Sequence, residues 1–393
     1  MPQPSDPPPS SGPWTAVHLF HQGDLDTLLL EAVVPALTGL AREGRVRGHF
    51  FLRYWEGGPH LRVRILSAPP HGTGAHDTAR QLVARWNTWL RDHPSPRSVD
   101  EAAYLGFADQ AAAREGLSGY EPWRALHDHA ETRPYLPEHD RYGTGASLAA
   151  VERHFMEASD SAEALLARRP APAERLSAGL AVVLLTWAVV EPDPRRRLDA
   201  LTSGARAWRR MLGPAYDTEA FDRAYARARP ALVRRAGQLL DPGARQLLDP
   251  EAGQLLDPGA RQLLDPEAGQ LLDPGARQLL DPEAGQLLAP AASARPDGPA
   301  GPVAAWHDSI SRLHTTLRTL EAAGSFTPDL AALRDDPSLL ALPSPRAALT
   351  ANRCAHLMCN RLGLYGPQEA LLRHLAARAA ADLHTAEAGG HRP

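Results

Sequence analysis

Residues 49–66 read HFFLRYWEGGPHLRVRIL, and this stretch predicts a β-hairpin. A Glu-Gly-Gly-Pro turn at 56–59 separates two strands, and the second strand alternates cationic and aliphatic side chains from 60 to 65. Side chains two apart on a strand point to the same face. His60, Arg62 and Arg64 are therefore expected on one face of a sheet, with the aliphatic side chains on the other.

The cationic face of this hairpin predicts an anionic ligand. If the turn pairs Trp55 with His60, Arg53 lies directly opposite Arg62. Like charges that face each other across two strands destabilise a sheet. A chain that keeps them is expected to offer the face to an anion.

Composition narrows the class of protein. The chain has 393 residues, 43% of them hydrophobic, which suffices for one large domain or two ordinary ones. A net charge of −4 argues against a general binder of nucleic acids or membrane surfaces. The two cysteines fall in one predicted helix, which excludes a disulfide framework. Without a signal-peptide pattern at its start, and with its longest apolar run confined to 180–190, the chain is expected to be cytoplasmic.

Several segments show the apolar spacing of helices. Residues 1–13 are predicted to be a disordered tail, residues 14–20 a strand, and residues 131–145 a loop. The predicted helices cover 24–42, 77–93, 147–168, 175–190, 196–211, 217–236, 303–323, 328–334 and 346–386, the last with a break near 363–367.

An octapeptide repeat interrupts this pattern. The unit Gln-Leu-Leu-Asp-Pro-x-Ala-x recurs from Gln238 to Leu288. A proline at every eighth position forbids a continuous α-helix, and the period is shorter than that of the known solenoid repeats. We interpret the repeat as a tandem duplication in a tolerant surface loop. A stack of short turns that binds a partner is the alternative.

A proline-containing segment, 135–143, is a second candidate site. Its sequence YLPEHDRYG lets Glu138 and Arg141 meet on one turn. Charged residues held in a loop are plausible site residues. The competing interpretation is a surface ion pair, worth under about 1 kcal/mol.

The predicted helix at 349–362 holds a third candidate. Asn352, His356 and Asn360 recur every fourth residue and form one polar stripe. A lone histidine on a polar helix face is more often a solvated surface residue. Because Cys354 and Cys359 do not share a face, no metal site is expected here. We find no phosphate-binding loop, nucleophile elbow or His-Glu-x-x-His motif, and no cofactor is predicted.

Four motifs in this order resemble the C-terminal, glutamate-elimination domain of lantibiotic dehydratases, also described as the thiopeptide-type bacteriocin biosynthesis domain. They are FFLRY at 50–54, HLRVR at 60–64, Tyr-x-Pro-Glu-x-x-Arg-Tyr-Gly at 135–143, and His-x-x-x-Asn-Arg at 356–361 followed by Glu369. The resemblance runs from Trp14 to about Leu375. Thr144 departs from it, since the family usually has a second glycine there, and the repeat is not a family feature.

The resemblance implies a fold and a domain organisation. It implies an α+β fold with a mostly antiparallel sheet flanked by many helices. Residues 14–236 and 295–388 would form a single domain, and 237–294 would be an inserted repeat.

The resemblance also implies a reaction. The chain would be the stand-alone half of a split dehydratase, acting on a ribosomal precursor peptide with a leader. A separate, glutamyl-tRNA-dependent protein would first attach glutamate to a Ser or Thr hydroxyl. β-Elimination would then expel the glutamate and leave dehydroalanine or dehydrobutyrine. No direct nucleic-acid or membrane partner is implied, and a homodimer is left open.

Roles carry over to the matching residues. Arg62, Arg64 and Arg141 would bind the glutamyl adduct and stabilise the developing negative charges. His356 would act as general acid or base. Glu138 would orient Arg141 or bind the ammonium group of the adduct. The substrate-binding candidates are Arg53, His60, Tyr135 and Asn360.

Two other functions remain open. Some stand-alone relatives catalyse a formal [4+2] cycloaddition that joins two dehydroalanines into a pyridine ring. That reaction expels no glutamate, so the complete set of arginines, glutamate and histidine favours elimination. The third hypothesis is a non-catalytic subunit that binds the precursor peptide.

Overall fold

The computed structural model describes residues 14–68, 73–96, 100–115, 117–121, 128–241, 301–330 and 337–390. The predicted N-terminal tail and all but the first residues of the repeat lie outside these ranges. The described chain divides into two compact units. Unit 1 contains the described residues up to Pro137, and unit 2 contains those from Glu138 onward. The prediction of a single domain stays a prediction.

Unit 1 is built on a four-stranded antiparallel sheet. Its strands are β1 (Trp14–Phe20), β2 (Val46–Tyr54), β3 (His60–Ser67) and β4 (His129–Arg133), in the order β2-β3-β1-β4. The antiparallel sheet of the expected α+β fold is thereby confirmed. The loop predicted at 131–145 is wrong at its start, because β4 pairs with β1 there. Alanine is the one apolar residue among the five of β4, so this strand lacks the alternation of apolar and polar residues that would reveal it in the sequence.

Helices cover one face of this sheet. The first helical run comprises α1 (Leu25–Thr27), a π-helical turn (Leu28–Val33) and α2 (Val34–Arg42), and it is followed by α3 (Thr73–Asp92) and α4 (Glu101–Glu115). The Asp24 carboxylate caps the first run by accepting the backbone N–H groups of Asp26 and Thr27. Leu19, Leu61 and Val63 are fully buried on the covered face.

The hairpin register differs from the predicted one by one residue. Tyr54, rather than Trp55, pairs with His60, so Arg53 lies opposite Leu61 and not opposite Arg62. A slip of one residue moves every side chain of a strand to the other face. The turn is longer because tertiary contacts hold it: the Tyr104 hydroxyl donates to the Trp55 carbonyl, and the Gly57 N–H donates to the Glu121 carbonyl at 2.8 Å.

The secondary-structure elements in the described residues of unit 2 are all helical. It contains a 3₁₀ turn at Gly213–Ala215 and the helices α5 (His139–Tyr142), α6 (Ala146–Leu166), α7 (Pro172–Val190), α8 (Pro194–Leu212), α9 (Thr218–Leu240), α10 (Pro302–Ala322), α11 (Pro337–Leu340), α12 (Pro345–Arg361) and α13 (Gly366–Gly390). The predicted helices therefore form, except at 328–334, where residues 328–330 are not helical and the rest are not described.

Helix α7 forms the centre of unit 2 and packs against α9, α10, α12 and α13. Residues 180–187 are all buried, which confirms the predicted buried helix. By length and composition α7 could cross a membrane, but core helices pass the same test, and 61% of its apolar stretch is buried in the protein. At Gly179 an added Cβ would lie 2.6 Å from Leu372, so this glycine allows α13 to approach closely.

A short turn after α12 positions the residues that follow it. Gly363 adopts φ +73°, a conformation that favours glycine, and α13 begins three residues later. This turn lets side chains of α13 reach those of α12, as the contacts of Glu369 below show.

Candidate functional site

The face of the unit 1 sheet opposite to its helices carries the predicted cationic residues. His60, Arg62 and Arg64 share this face, as predicted from the alternation in β3. The register aligns three rows across β2, β3, β1 and β4: Tyr54-His60-Phe20-His129, Leu52-Arg62-His18-Glu131 and Phe50-Arg64-Ala16-Arg133.

Arg62 is held in one position by three neighbours. Its Nη2 donates to Glu56 Oε2 at 2.9 Å and its Nε to His60 Nε2 at 3.2 Å. The guanidinium carbon lies 3.3 Å from the centroid of the Tyr54 ring. A guanidinium fixed in this way keeps its charge and presents it in one orientation.

His60 is a neutral residue that positions Arg62. Its Nδ1 lies 2.8 Å from the Gly58 carbonyl and donates to it, because its Nε2 accepts from Arg62. Burial, with Arg62 and Arg64 nearby, lowers the pKa of His60 to about 3. Since the ring has no exposed surface, its geometry favours a positioning role over the expected contact with substrate.

His18 is a second neutral histidine on this face, and the sequence gives no local sign of it. Its ring stacks on that of His60 with centroids 4.9 Å apart. Burial first, and then the proximity of His60, Arg64 and Arg62, lower the pKa of His18 far below its ordinary value. The pairing of β1 with β3 brings His18 beside Arg62. Because both histidines are neutral, the positive charge of this face comes from its arginines.

Arg64 lies beside the aromatic start of the 135–143 segment. Its guanidinium carbon is 5.9 Å from the centroid of the Tyr135 ring, which in turn lies 5.7 Å from that of Trp14. In the last strand Arg133 donates from Nε to Glu131 at 2.7 Å, so part of its charge is compensated.

Arg53 is committed elsewhere in unit 1. It forms an ion pair with Asp26, and both side chains are buried. The expectation that Arg53 faces Arg62 on the cationic surface is wrong, because the register turns it to the covered face. This environment favours a structural role over substrate binding.

In unit 2 the His356 ring is oriented by a buried carboxylate. His356 Nδ1 lies 2.7 Å from Glu369 Oε2 on α13. Half of the His356 side chain is exposed (51%), whereas that of Glu369 is buried (1%). The carboxylate fixes the tautomer with the proton on Nδ1 and stabilises an imidazolium if the ring takes up a second proton.

Glu369 belongs to a buried polar network. It accepts from Arg373 Nη2 at 2.9 Å, and Arg373 donates to the Asn352 side chain. Burial alone would raise the pKa of Glu369, but the hydrogen bonds and charges of His356 and Arg373 outweigh it and lower the pKa below its ordinary value. Asn360 follows one helical turn after His356 on the predicted stripe.

The 135–143 segment contributes an ion pair to unit 2. Arg141 Nη1 lies 3.0 Å from Glu138 Oε2, as predicted, and both side chains are half exposed. Helix α5 ends at Tyr142, and Gly143, which follows it, has φ +74°. A Cβ at this position would lie 2.4 Å from Ser147 Oγ, so the turn requires glycine.

Arg353 lies on the same helix as His356 and is close enough to this ion pair to interact with it electrostatically. Burial lowers the pKa of Arg353, and the nearby charges of Arg141 and Glu138 also act on it. Arg353 precedes His356 by three residues, so the two side chains are neighbours on the surface of α12. An arginine in an alanine-rich helix gave no sequence signal of this position.

The structure thus brings the predicted residues together in two groups. In unit 1 these are His60, Arg62, Arg64 and Tyr135, and in unit 2 they are Glu138, Arg141, His356 and Asn360. That both groups serve one substrate stays a prediction. Among the described residues, no cluster of three or more His, Cys, Asp or Glu side chains could hold a metal ion.

A comparison with family models identifies one family. The model of a family described as "Lantibiotic biosynthesis dehydratase C-term" matches residues 14–380. No curated protein matches the chain.

The solved structures of TbtD and TsrL share the fold. A pyridine synthase, TbtD, from thiomuracin biosynthesis is 21% identical, with a TM-score of 0.66 over 95% of this chain and 100% of that one. TsrL is 15% identical, with a TM-score of 0.53 over 97% and 99%. The tRNA-dependent lantibiotic dehydratase MibB from Microbispora sp. 107891 is 20% identical, with a TM-score of 0.49, and the match covers 98% of this chain but 29% of MibB.

Proposed function

The chain belongs to the family of lantibiotic biosynthesis dehydratase C-terminal domains, and from this premise we propose that it expels glutamate from a glutamylated Ser or Thr of a ribosomal precursor peptide. The family acts in the maturation of ribosomally made peptides. The finer assignment, a β-elimination on a glutamyl ester, rests on the chemistry of the two groups of residues described above.

The observation that carries the proposal is the His356–Glu369 pair. Elimination begins with removal of the α-proton of the modified Ser or Thr residue. A half-exposed imidazole, held in one tautomer by a buried carboxylate, suits this step as a general base. We assign the proton to Nε2, since Nδ1 already donates to Glu369.

Arginines stabilise the charges that the reaction creates. As the Cα–H bond breaks, negative charge develops on the adjacent carbonyl oxygen. The Cα=Cβ double bond then forms while the Cβ–O bond breaks, and glutamate leaves as a carboxylate. Arg62 and Arg64 in unit 1 and Arg141 in unit 2 are suited to these anions, because a guanidinium stays charged and binds carboxylates with two parallel hydrogen bonds.

One reaction tests the proposal. Purified protein is mixed with a precursor peptide that carries a glutamylated serine, and mass spectrometry follows the conversion of the adduct to dehydroalanine. Conversion that depends on the protein and is lost in His356→Asn supports elimination. An adduct that survives undiminished refutes it and favours a non-catalytic peptide-binding subunit.

A [4+2] cycloaddition is the second candidate. It is favoured by one observation, the match in fold and length to the pyridine synthase TbtD. A peptide with two dehydroalanines separates the candidates: formation of a pyridine-containing macrocycle supports cycloaddition, whereas an unchanged peptide, together with glutamate release in the first reaction, supports elimination.

A further inference from the structure

Arg353 is a half-buried arginine whose charge the described residues leave uncompensated. Its Nη1 is inaccessible to water and has no hydrogen-bond partner in the part of the chain that the structure describes. Leaving a buried polar atom unsatisfied costs about 1–3 kcal/mol, more if it is charged. Such an atom in a folded protein calls for a functional explanation.

The neighbours of Arg353 do not neutralise it. Glu138 is the nearby carboxylate that acts on it, but Glu138 already pairs with Arg141 at 3.0 Å. The three charged groups together carry one net positive charge. Because the Arg353 side chain is only partly buried, the outer edge of its guanidinium can meet an anion from solution.

The position of Arg353 indicates which anion it meets. It lies one helical turn from His356, the proposed base. A glutamyl ester derived from glutamyl-tRNA is linked through its α-carboxyl group and therefore keeps two charges, an ammonium group and a side-chain carboxylate. The carboxylate is the group that separates a glutamyl ester from a glutaminyl ester, and a guanidinium recognises it with paired hydrogen bonds.

We propose that Arg353 binds the side-chain carboxylate of the glutamyl group and makes the protein selective for glutamyl over glutaminyl adducts. Arg353 is thus a specificity-determining residue for the function proposed above, on which this assignment rests. The bound carboxylate compensates the charge of the guanidinium from its outer edge, while Nη1 stays inaccessible.

Binding of two matched probes tests the assignment without turnover. Each probe is a capped tripeptide with a central diaminopropionate, acylated on its side-chain nitrogen with glutamate in one probe and with glutamine in the other. Calorimetry on the wild-type protein is expected to show about tenfold tighter binding of the glutamyl probe. Hydrogen bonds between charged groups typically change Kd by at least this factor. Arg353→Gln should bind both probes equally.

Two further variants exclude trivial explanations. Arg210→Gln removes an exposed arginine of α8 and should keep the full selectivity. Arg353→Lys should recover part of it, because lysine keeps the charge but not the paired donors. Arg353→Gln should also leave the melting temperature unchanged or higher, since no partner within the described protein is lost. A structural role for Arg353 would lower it.

The outcomes separate this assignment from the proposed function. Selectivity that persists in Arg353→Gln, or that is missing from the wild-type protein, overturns the assignment even if glutamate is expelled. Selectivity that disappears in Arg353→Gln supports the assignment even if the wild-type protein expels no glutamate. In that case only the proposed elimination function is refuted.

Discussion

Unit 1 and unit 2 each contain a histidine at the centre of their polar residues, but the two histidines are used in opposite ways. His60 is fully buried, donates to a backbone carbonyl and accepts from Arg62. His356 is half exposed and donates to a buried carboxylate. The first environment holds the ring neutral, and the second is suited to proton exchange. The comparison teaches that the partner of a histidine, more than its residue type, determines its chemistry.

The largest expected effect tests the assignment of proton exchange to unit 2. His356→Asn is expected to lower kcat for glutamate release about 10²–10⁴-fold, because general acid–base catalysis contributes that much. Glutamate release from the glutamylated peptide is measured at saturating substrate. His93→Asn, at an exposed position in unit 1, is the control and should keep full activity. Equal activity of all three proteins would show that His356 is not the base.

The second prediction concerns the arginines of unit 1. Arg62→Met is expected to lower kcat/KM about 10²-fold, the usual effect of removing one donor to a developing oxyanion. Its melting temperature should fall only moderately: the ion pair with Glu56 lies near the surface and contributes little, and the main loss is the donor to the buried Nε2 of His60. A normal kcat/KM with a reduced melting temperature would mean that Arg62 is structural.

The third prediction compares Arg62 with Arg53, an arginine of the same hairpin whose side chain lies on the opposite face of the sheet. Arg53→Met should destabilise the protein by about 3 kcal/mol, because it leaves the buried Asp26 carboxylate uncompensated. Urea denaturation measures this loss, and activity per folded molecule should be unchanged. Replacing both residues with apolar ones should restore most of the stability. A specific loss of activity in Arg53→Met at unchanged stability would reverse the roles of the two arginines.

The smallest effect concerns the neutral state of His60. Its pKa is about 3 in the folded protein and 6.5 as a free side chain. Below pH 6.5 the unfolded chain therefore binds more protons, and the stability present above that pH is lost as the pH falls toward 3, by at most about 1.4 kcal/mol per pH unit. Between pH 7.5 and 5.5, His60→Gln should lose about 1 kcal/mol less stability than the wild-type protein.

A control at an exposed histidine completes this test. His93→Gln changes an exposed histidine of unit 1 and should show the same pH dependence as the wild-type protein. Parallel curves for His60→Gln and the wild-type protein would contradict a neutral, buried His60.

Local patterns in the chain predicted much of this fold and of each group of residues. The two-residue alternation of β3 placed Arg62 and Arg64 on one face, and the spacing of Asn352 and His356 placed both on one stripe of a helix. Glu138 and Arg141 meet because three residues span one turn. These relations depend on neighbours in the chain, which is why periodicity reveals them.

Relations between distant segments escaped sequence reasoning. The register of the hairpin depends on Tyr104 and Glu121, which are far from the turn in sequence. Strand β4 forms because β1 is available to pair with it, and His18 meets His60 through that same sheet. Arg353 is notable only because its surroundings bury it without supplying an acceptor.

The sequence by itself therefore determined most of the helices and strands, the cationic face of the hairpin, the polar stripe of α12 and the resemblance to a dehydratase family, since each depends on motifs of residues close together in the chain. Only the tertiary structure decided that Arg53 is a buried ion-pair partner, that His60 and His18 are neutral, and that Glu369 orients His356. The physical reason is that burial and charge pairing set the state of an ionisable group, and both depend on side chains that folding brings from elsewhere in the chain.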